Sequence, residues 1–304
     1  MNTWLQTPIQ AQQIQAIGIT VTDVDRVSEF YTTALGFEII SDITVEDNNF
    51  AEMQVSPLSK TRIATLKLGD EQIRLMQYLD IISIPATLEL LKNRRGAENA
   101  EKSTQRNNSD ANGFDIKGKP IPADSQSNDL WFQHLAIVVS DMERAYSHLQ
   151  SFGIEFISTE PQTIPPENKE AAYIQAFKFR DPDRHPLELI WFPPDKGQKK
   201  WHQKSDRLFL GIDHTAIAIK NTEESLQFYR DCLGMRVEGG SFNWGETQAK
   251  LDGLPDAKVQ ITALRPIQGG MGIELLDYIE PANGRPIPSD LKPYNIAYVQ
   301  VELI

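Results

Sequence analysis

Three stretches of this chain restate one another, and that internal repeat limits the fold more than any other feature. QAIGITVTDVDRVSEFYTTALGFEI, from Gln15, realigns without a gap on DHTAIAIKNTEESLQFYRDCLGMRV, from Asp213. A looser copy, QHLAIVVSDMERAYSHLQSFGIEF, begins at Gln133. The second residue of each copy is Ala16, His134 or His214. Each copy closes on a similar strand, QIRLMQYLD, PLELIWFP or GIELLDYIE, whose third residue is Arg74, Glu188 or Glu274. A unit that opens on a His strand and closes on a Glu strand points to a metal site.

Within each unit the hydrophobic period switches once. Ala16 to Val21 alternates as a half-buried strand does. Asp23 offers an N-cap, and Val24, Val27, Phe30, Tyr31 and Ala34 mark one face at helical spacing. Gly36, Gly153 and Gly234 stand where a left-handed C-cap would end each helix. Three short strand-like runs follow, so the unit reads β-α-β-β-β and the fold class is α+β.

A second echo groups the units. GKPIPAD (Gly118 to Asp124) recurs as GRPIPSD (Gly284 to Asp290), each time leading into an opening strand. Residues 14–80 and 130–193 are therefore expected to form a first domain, and residues 210–304 a second, with 194–209 as the Pro-, Gly- and Lys-containing linker. Gly118 lies 40 positions after Tyr78, whereas Gly284 lies 6 after Tyr278. The excess, about 92–117, is polar and reads as a mobile surface insertion open to proteolysis. Of a fourth unit only the opening strand NIAYVQVELI is present, with Ala297 expected at the His position. Such a strand cannot bury its own face. Either a second copy of the chain completes this half, through residues 210–304, or the sequence is part of a longer protein.

Composition narrows the class of partner. The net charge of −12 argues against nucleic acid or an anionic membrane surface. No basic start followed by an apolar run opens the chain, and no 18-residue apolar stretch spans a bilayer. Cys232 is the one cysteine, which excludes an internal disulfide and suits a reducing, cytoplasmic setting.

Paired β-α-β-β-β units with His on the first strand and Glu on the last resemble the vicinal oxygen chelate superfamily. That group includes glyoxalase I, methylmalonyl-CoA epimerase, extradiol dioxygenases and bleomycin-resistance proteins. RDPDRHPLELIWF (Arg180 to Phe192) and IDHTAIAIKNTEESLQFYRDCLGM are the most specific marks. The resemblance implies modules that pair into open, cup-shaped mixed sheets around a divalent metal, with ligands from the first and last strands. Here those ligands are His134 and Glu188 from the second module and His214 and Glu274 from the third, for Fe, Mn, Ni, Zn or Co. Glu188 and Glu274 are also the candidate proton-transfer groups.

The first module departs from the pattern, with Ala16 and Arg74 at the ligand positions. Arg74 is either a solvated strand residue or a substrate-binding cation facing a carboxylate, Glu188 included. Neighbouring modules are expected to pair first, so that residues 14–80 and 130–193 share one cup. The alternative sets the second module against the third and gathers all four ligands into one site. Glu188, between Leu187 and Leu189, and Glu274, between Ile273 and Leu275, would need a cation, a donor or water if buried. His185, in the DPDRHP turn, reads as structural. His148 and His202 read as solvent-facing, and Cys232 as helix packing.

The resemblance implies a metal-dependent lyase or isomerase acting on a small carbonyl compound. The metal would stabilise charge on oxygen and a carboxylate would shuttle the α-proton. One alternative is an extradiol-type dioxygenase, which needs two His and one carboxylate on iron. Another is a resistance-type binding protein without metal.

Overall fold

The computed structural model describes residues 10–47, 59–81 and 118–304. The insertion expected at 92–117 lies outside the described residues.

The first module runs β1 (Ile14–Thr20), α1 (Val24–Leu35), β2 (Glu38–Asp47), β3 (Ser59–Leu68) and β4 (Glu71–Ile81). The second runs β5 (Gln133–Val139), α2 (Met142–Gln150), the short β6 (Glu155–Phe156) and β7 (Gln162–Thr163), then β8 (Gln175–Arg180) and β9 (Pro186–Trp191). The third runs β10 (Phe209–Ile219), α3 (Thr222–Leu226) continued by a π-helical turn over Gln227–Cys232, and β11 (Arg236–Asn243). It then adds α4 (Gly245–Asp252) before β12 (Lys258–Arg265) and β13 (Gly272–Glu280). The last strand is β14 (Val299–Leu303).

The helices begin where the sequence expects; the first ends on Gly36 as its left-handed cap, while Ser151 and Leu233 cap the other two one or two residues before their glycines. Asp23, Asp141 and Asn221 accept from the backbone N–H of Arg26, Arg144 and Glu224 at 3.0, 3.0 and 2.9 Å. Gly36, Gly153 and Gly234 all take positive φ, between 63° and 71°. Among the described residues no helix is long and apolar enough to cross a membrane.

Strand pairing departs from the expected order. One sheet runs β14-β1-β4-β3-β2, and the other runs β11-β12-β13-β10-β5-β9-β8-β6. The second module thus lies against the third through antiparallel β5 and β10, while β1 of the first takes β14. The first and second modules do not share a cup; they pack back to back. One continuous core joins Ile17, Tyr31 and Leu75 to Ile137, Leu149 and Phe177, and on to Ile212, Ile273 and Leu275.

Charge and stitching contacts account for this pairing. Arg74 forms an ion pair with Glu302 of β14, and so not with Glu188. Gly18 stands between Arg74 and Gln300 in register, where a Cβ would meet Gln300 Cγ at 2.6 Å. Gln300, not Ala297, therefore holds the position equivalent to His134, and among the described residues no cluster of metal-ligating side chains forms on this sheet. The expected linker packs as well. Trp201 is buried and its Nε1 donates to Asp213 at 2.7 Å, while Lys200 pairs with Glu71 of the first module. The face of the third module on which self-association was expected, that carrying His214 and Glu274, is met by the second module.

The DPDRHP turn ties the halves together. His185 Nδ1 meets Asp181 Oδ2 at 2.9 Å and Nε2 meets the Ile296 carbonyl at 2.9 Å. Both partners offer acceptor oxygens, which favours a proton on each ring nitrogen of the buried ring. Asp183 in the same turn accepts from Thr22 N and Oγ1 at 2.6 and 2.7 Å. His148 is half-buried rather than solvent-facing, its Nε2 3.1 Å from the Ala34 carbonyl. His202 is exposed.

Burial opposes the charge on His185, but Asp181 outweighs it and raises the pKa above the usual 6.5. A raised folded-state pKa gives stability that is complete below the unfolded value and lost as pH rises through the folded one. His185→Gln is therefore expected to lower Tm by roughly 4–8 °C at pH 6, for about 2 kcal/mol of lost charged hydrogen bonding. The gap from wild type should narrow at alkaline pH. A gap that widens with pH would show that the ring is neutral.

Candidate metal centre

Alternation along the strands sends Leu187, Leu189, Ile273 and Leu275 into the common core. Glu188 and Glu274 therefore point to the opposite face, as the residues between them must. Across β5 and β10, His134 stands opposite Ala216 and His214 opposite Ala136. Ala136 is in turn the register partner of Glu188, and Ala216 that of Glu274. Two rows result, Glu188–Ala136–His214 and His134–Ala216–Glu274, related by a local two-fold. The alanines at the centre of each row leave room for the four longer side chains to converge.

They do converge, on the wall of a cavity of about 180 Å³. His134 Nε2 lies 3.2 Å from Glu188 Oε2, and His214 Nε2 lies 3.8 Å from the same oxygen. Glu274 Oε2 is 3.3 Å from His214 Nε2. The ligand atoms of His134, Glu188 and His214 all fall within 4.8 Å of one another. Glu274 stands beside this triad and keeps a quarter of its side chain exposed, whereas Glu188 keeps 8%. Arg74, in the other sheet with Glu302, is not among the cavity residues.

The electrostatics follow from burial and neighbours. Burial pushes the His134 pKa down to about 4, helped by the Lys178 charge and opposed by Glu188. Burial would raise Glu188, yet His134, Lys178 and His214 hold it at about 2, so it stays ionised. Glu274 is raised, by burial first, with repulsion from Glu188 and Asp213 opposing the pull of His214 and Arg265. Burial works against a charge on His214, but Glu274, Asp213 and Glu188 together raise its pKa.

Two buried atoms show what the cluster lacks. His214 Nε2 sits between two carboxylates and hydrogen-bonds neither, and His134 Nδ1 is also without a partner. Two imidazoles and two carboxylates around that gap carry a net charge of about −2 when the rings are neutral, the complement of a divalent cation. Asp213 fixes one ring from behind. Its Oδ2 lies 3.1 Å from His214 Nδ1 and accepts from Arg265 at 2.8 Å, while Oδ1 accepts from Gln198 and Trp201 at 3.0 and 2.7 Å. This outer shell turns His214 Nε2 toward the cluster.

Residues that sequence reasoning passed over line the same cavity. Lys178, Tyr278 and Gln248 all reach one fully buried carboxylate, Asp252, at 2.6, 3.0 and 2.7 Å. The charged residue between two phenylalanines in AFKFR was a signal for Lys178. Asp213, directly before His214, was another.

With the geometry in hand, the relatives can be placed. A model of the Glyoxalase/Bleomycin resistance protein/Dioxygenase superfamily matches residues 13–189 and 211–293. Glyoxalase I of Saccharomyces cerevisiae is 26% identical over 219 residues, which cover 72% of this chain and 56% of that protein. Lactoylglutathione lyase of Schizosaccharomyces pombe is 25% identical over 231 residues, 76% of this chain and 62% of that protein. The matches thus span less than two thirds of these relatives. The crystal structure of glyoxalase I from Zea mays superposes with a TM-score of 0.50 at 14% identity, over 89% of this chain and 69% of that one, a likeness of fold. The chain belongs to the Glyoxalase/Bleomycin resistance protein/Dioxygenase superfamily.

Proposed function

We propose that the chain is a divalent-metal-dependent lyase or isomerase of glyoxalase type, acting on a small enolisable carbonyl compound. The observation that carries this reading is the convergence of His134, Glu188 and His214 within 4.8 Å, with Glu274 beside them. The first three would hold the ion, with Glu274 as a fourth group at its edge. A bound divalent ion would supply a Lewis acid that stabilises negative charge on a substrate oxygen.

The chain's own groups then divide the remaining work. Asp213 keeps the His214 ring oriented. Glu274, the more accessible carboxylate, takes the proton from the carbon beside the carbonyl and returns it to the neighbouring carbon. The cavity walls Ile164, Ile190 and Val259 exclude water from the reacting carbons. The Schizosaccharomyces pombe relative is named for lactoylglutathione, a thioester of a 2-hydroxy acid. A substrate of that class carries the carbonyl and adjacent C–H that such a shift requires.

One observation favours a second reading. The triad supplies two histidines and one carboxylate, the set that an iron-dependent ring-cleaving dioxygenase uses. Metal exchange separates the two. Metal analysis of purified protein should give about one divalent ion per chain. Under anaerobic conditions the zinc- or nickel-loaded protein should exchange the α-hydrogen of 2-hydroxy thioesters with deuterated solvent. Oxygen uptake with catechols, only with Fe(II), would instead establish the dioxygenase. Purified protein that takes up no metal would overturn both readings and leave a binding protein.

A further inference from the structure

Lys178 is a buried cation that the proton shift above does not use. It is 3% exposed and lies directly opposite Glu188 on the neighbouring strand, β8 against β9. Side chains so placed share a face with their Cβ atoms roughly 5 Å apart. Lys178 therefore flanks the ligand cluster. Among the described residues lining the cavity, it is the one Lys or Arg.

Its position is not part of the repeat. The residue opposite Glu274 in the third module is Ala263, and the one opposite Arg74 in the first is Thr65. Only the module that itself carries Glu188 has an ammonium there. Its counter-ion comes from another module, Asp252 at the end of α4, 2.6 Å from Nζ with no exposed side-chain surface. Asp252 Oδ2 is occupied by Gln248 and Tyr278 at 2.7 and 3.0 Å, so the carboxylate is held on every side. An ammonium has three donors. Asp252 Oδ1 is the one side-chain or backbone acceptor that the described residues give it, so its other two donors have no protein acceptor there, and the residue lines the cavity. Buried donors of this kind are costly unless an acceptor arrives.

We propose that Lys178, aimed by Asp252, donates to the substrate oxygen on which negative charge develops. This rests on the function proposed above and names a group that touches the substrate. It also specifies the substrate: one with an oxygen that becomes anionic on the Lys178 side of the ion, as in the enolate of a carbonyl compound. The bland alternative is a buried ion pair that only staples β8 to α4.

The test uses the whole chain loaded with zinc, with acetohydroxamate as a planar, anionic enolate mimic, followed by calorimetry. K178M alone leaves Asp252 buried without its cation and is expected to melt early. The double variant K178M/D252N removes both charges and keeps hydrogen-bonding capacity for Gln248 and Tyr278, so its Tm should return toward wild type. In that variant acetohydroxamate should bind roughly 10–100-fold more weakly, the worth of a charge-assisted hydrogen bond. Zinc affinity should be unchanged or higher, since a neighbouring positive charge is gone. Hydroxamate affinity within about twofold of wild type would overturn the proposal, as would a parallel loss of zinc. Wild-type protein that fails to take up zinc would instead refute the metal-dependent function itself, and is seen before any variant is made.

Discussion

Glu188→Gln is expected to abolish the proposed metal binding while leaving the fold intact. Glu188 Oε2 is the atom that both histidines face, at 3.2 and 3.8 Å, so it is the hub of the cluster. Glutamine preserves the volume between Leu187 and Leu189 but offers a neutral oxygen in place of a carboxylate held ionised at about 2. Removing an outer-shell partner of a metal ligand costs roughly 10–100-fold in affinity, and removing a charged ligand should cost more. Zinc affinity is therefore expected to fall by at least about three orders of magnitude, with far-UV circular dichroism unchanged. The apo protein should lose little stability, because Lys178 keeps Asp252 as its counter-ion at 2.6 Å. Titration with a competing chelator measures the first quantity and thermal melting the second. Zinc affinity within tenfold of wild type would place the site elsewhere.

The residues of that cluster were legible in the sequence because they obey short-range rules. A carboxylate between Leu187 and Leu189 on a strand must face away from the side its neighbours bury, and the same holds for Glu274. Repeat alignment then brings out His134 and His214. Helix limits were legible for the same reason, since Asp23 and Gly36 act within one turn of the helix they bound.

Module pairing was not legible, because contacts distant in sequence select it. Arg74 finds Glu302, Trp201 of the linker finds Asp213, and Lys200 finds Glu71. None of these pairs has a local signature. Chain order favours joining the first module to the second, but the charge left on Arg74 is neutralised by β14, and Glu188 of the second module meets His214 of the third. The equivalence of Gln300 to His134 shows the same limit. Alignment placed Ala297 there, whereas the register of β1 with β14, Gly18 opposite Gln300, decides it. Lys178 escaped because the repeat is broken at its position, and a repeat draws attention only to what recurs.

Glu274→Gln should separate proton transfer from metal binding. The two carboxylates of the site are not equivalent. Glu188 is enclosed by the triad, whereas Glu274 contacts His214 at 3.3 Å, lies outside the 4.8 Å cluster and keeps a quarter of its side chain exposed. A group so placed fits the proposed role of reaching both a bound ion and a substrate carbon. Glutamine has the same shape and can still accept a hydrogen bond, but it cannot take a proton from carbon. General-base catalysis is worth roughly 10²–10⁴ in rate, so kcat for the proposed proton shift should fall by about that factor. KM should change little, because the substrate oxygens are bound elsewhere. His134, Glu188 and His214 remain, so zinc content should stay near that of wild type. Solvent deuterium exchange into the substrate should fall in step with kcat. An E274Q protein that loses zinc as completely as E188Q would make Glu274 a ligand of equal rank, and the proton would then have to be carried by another group.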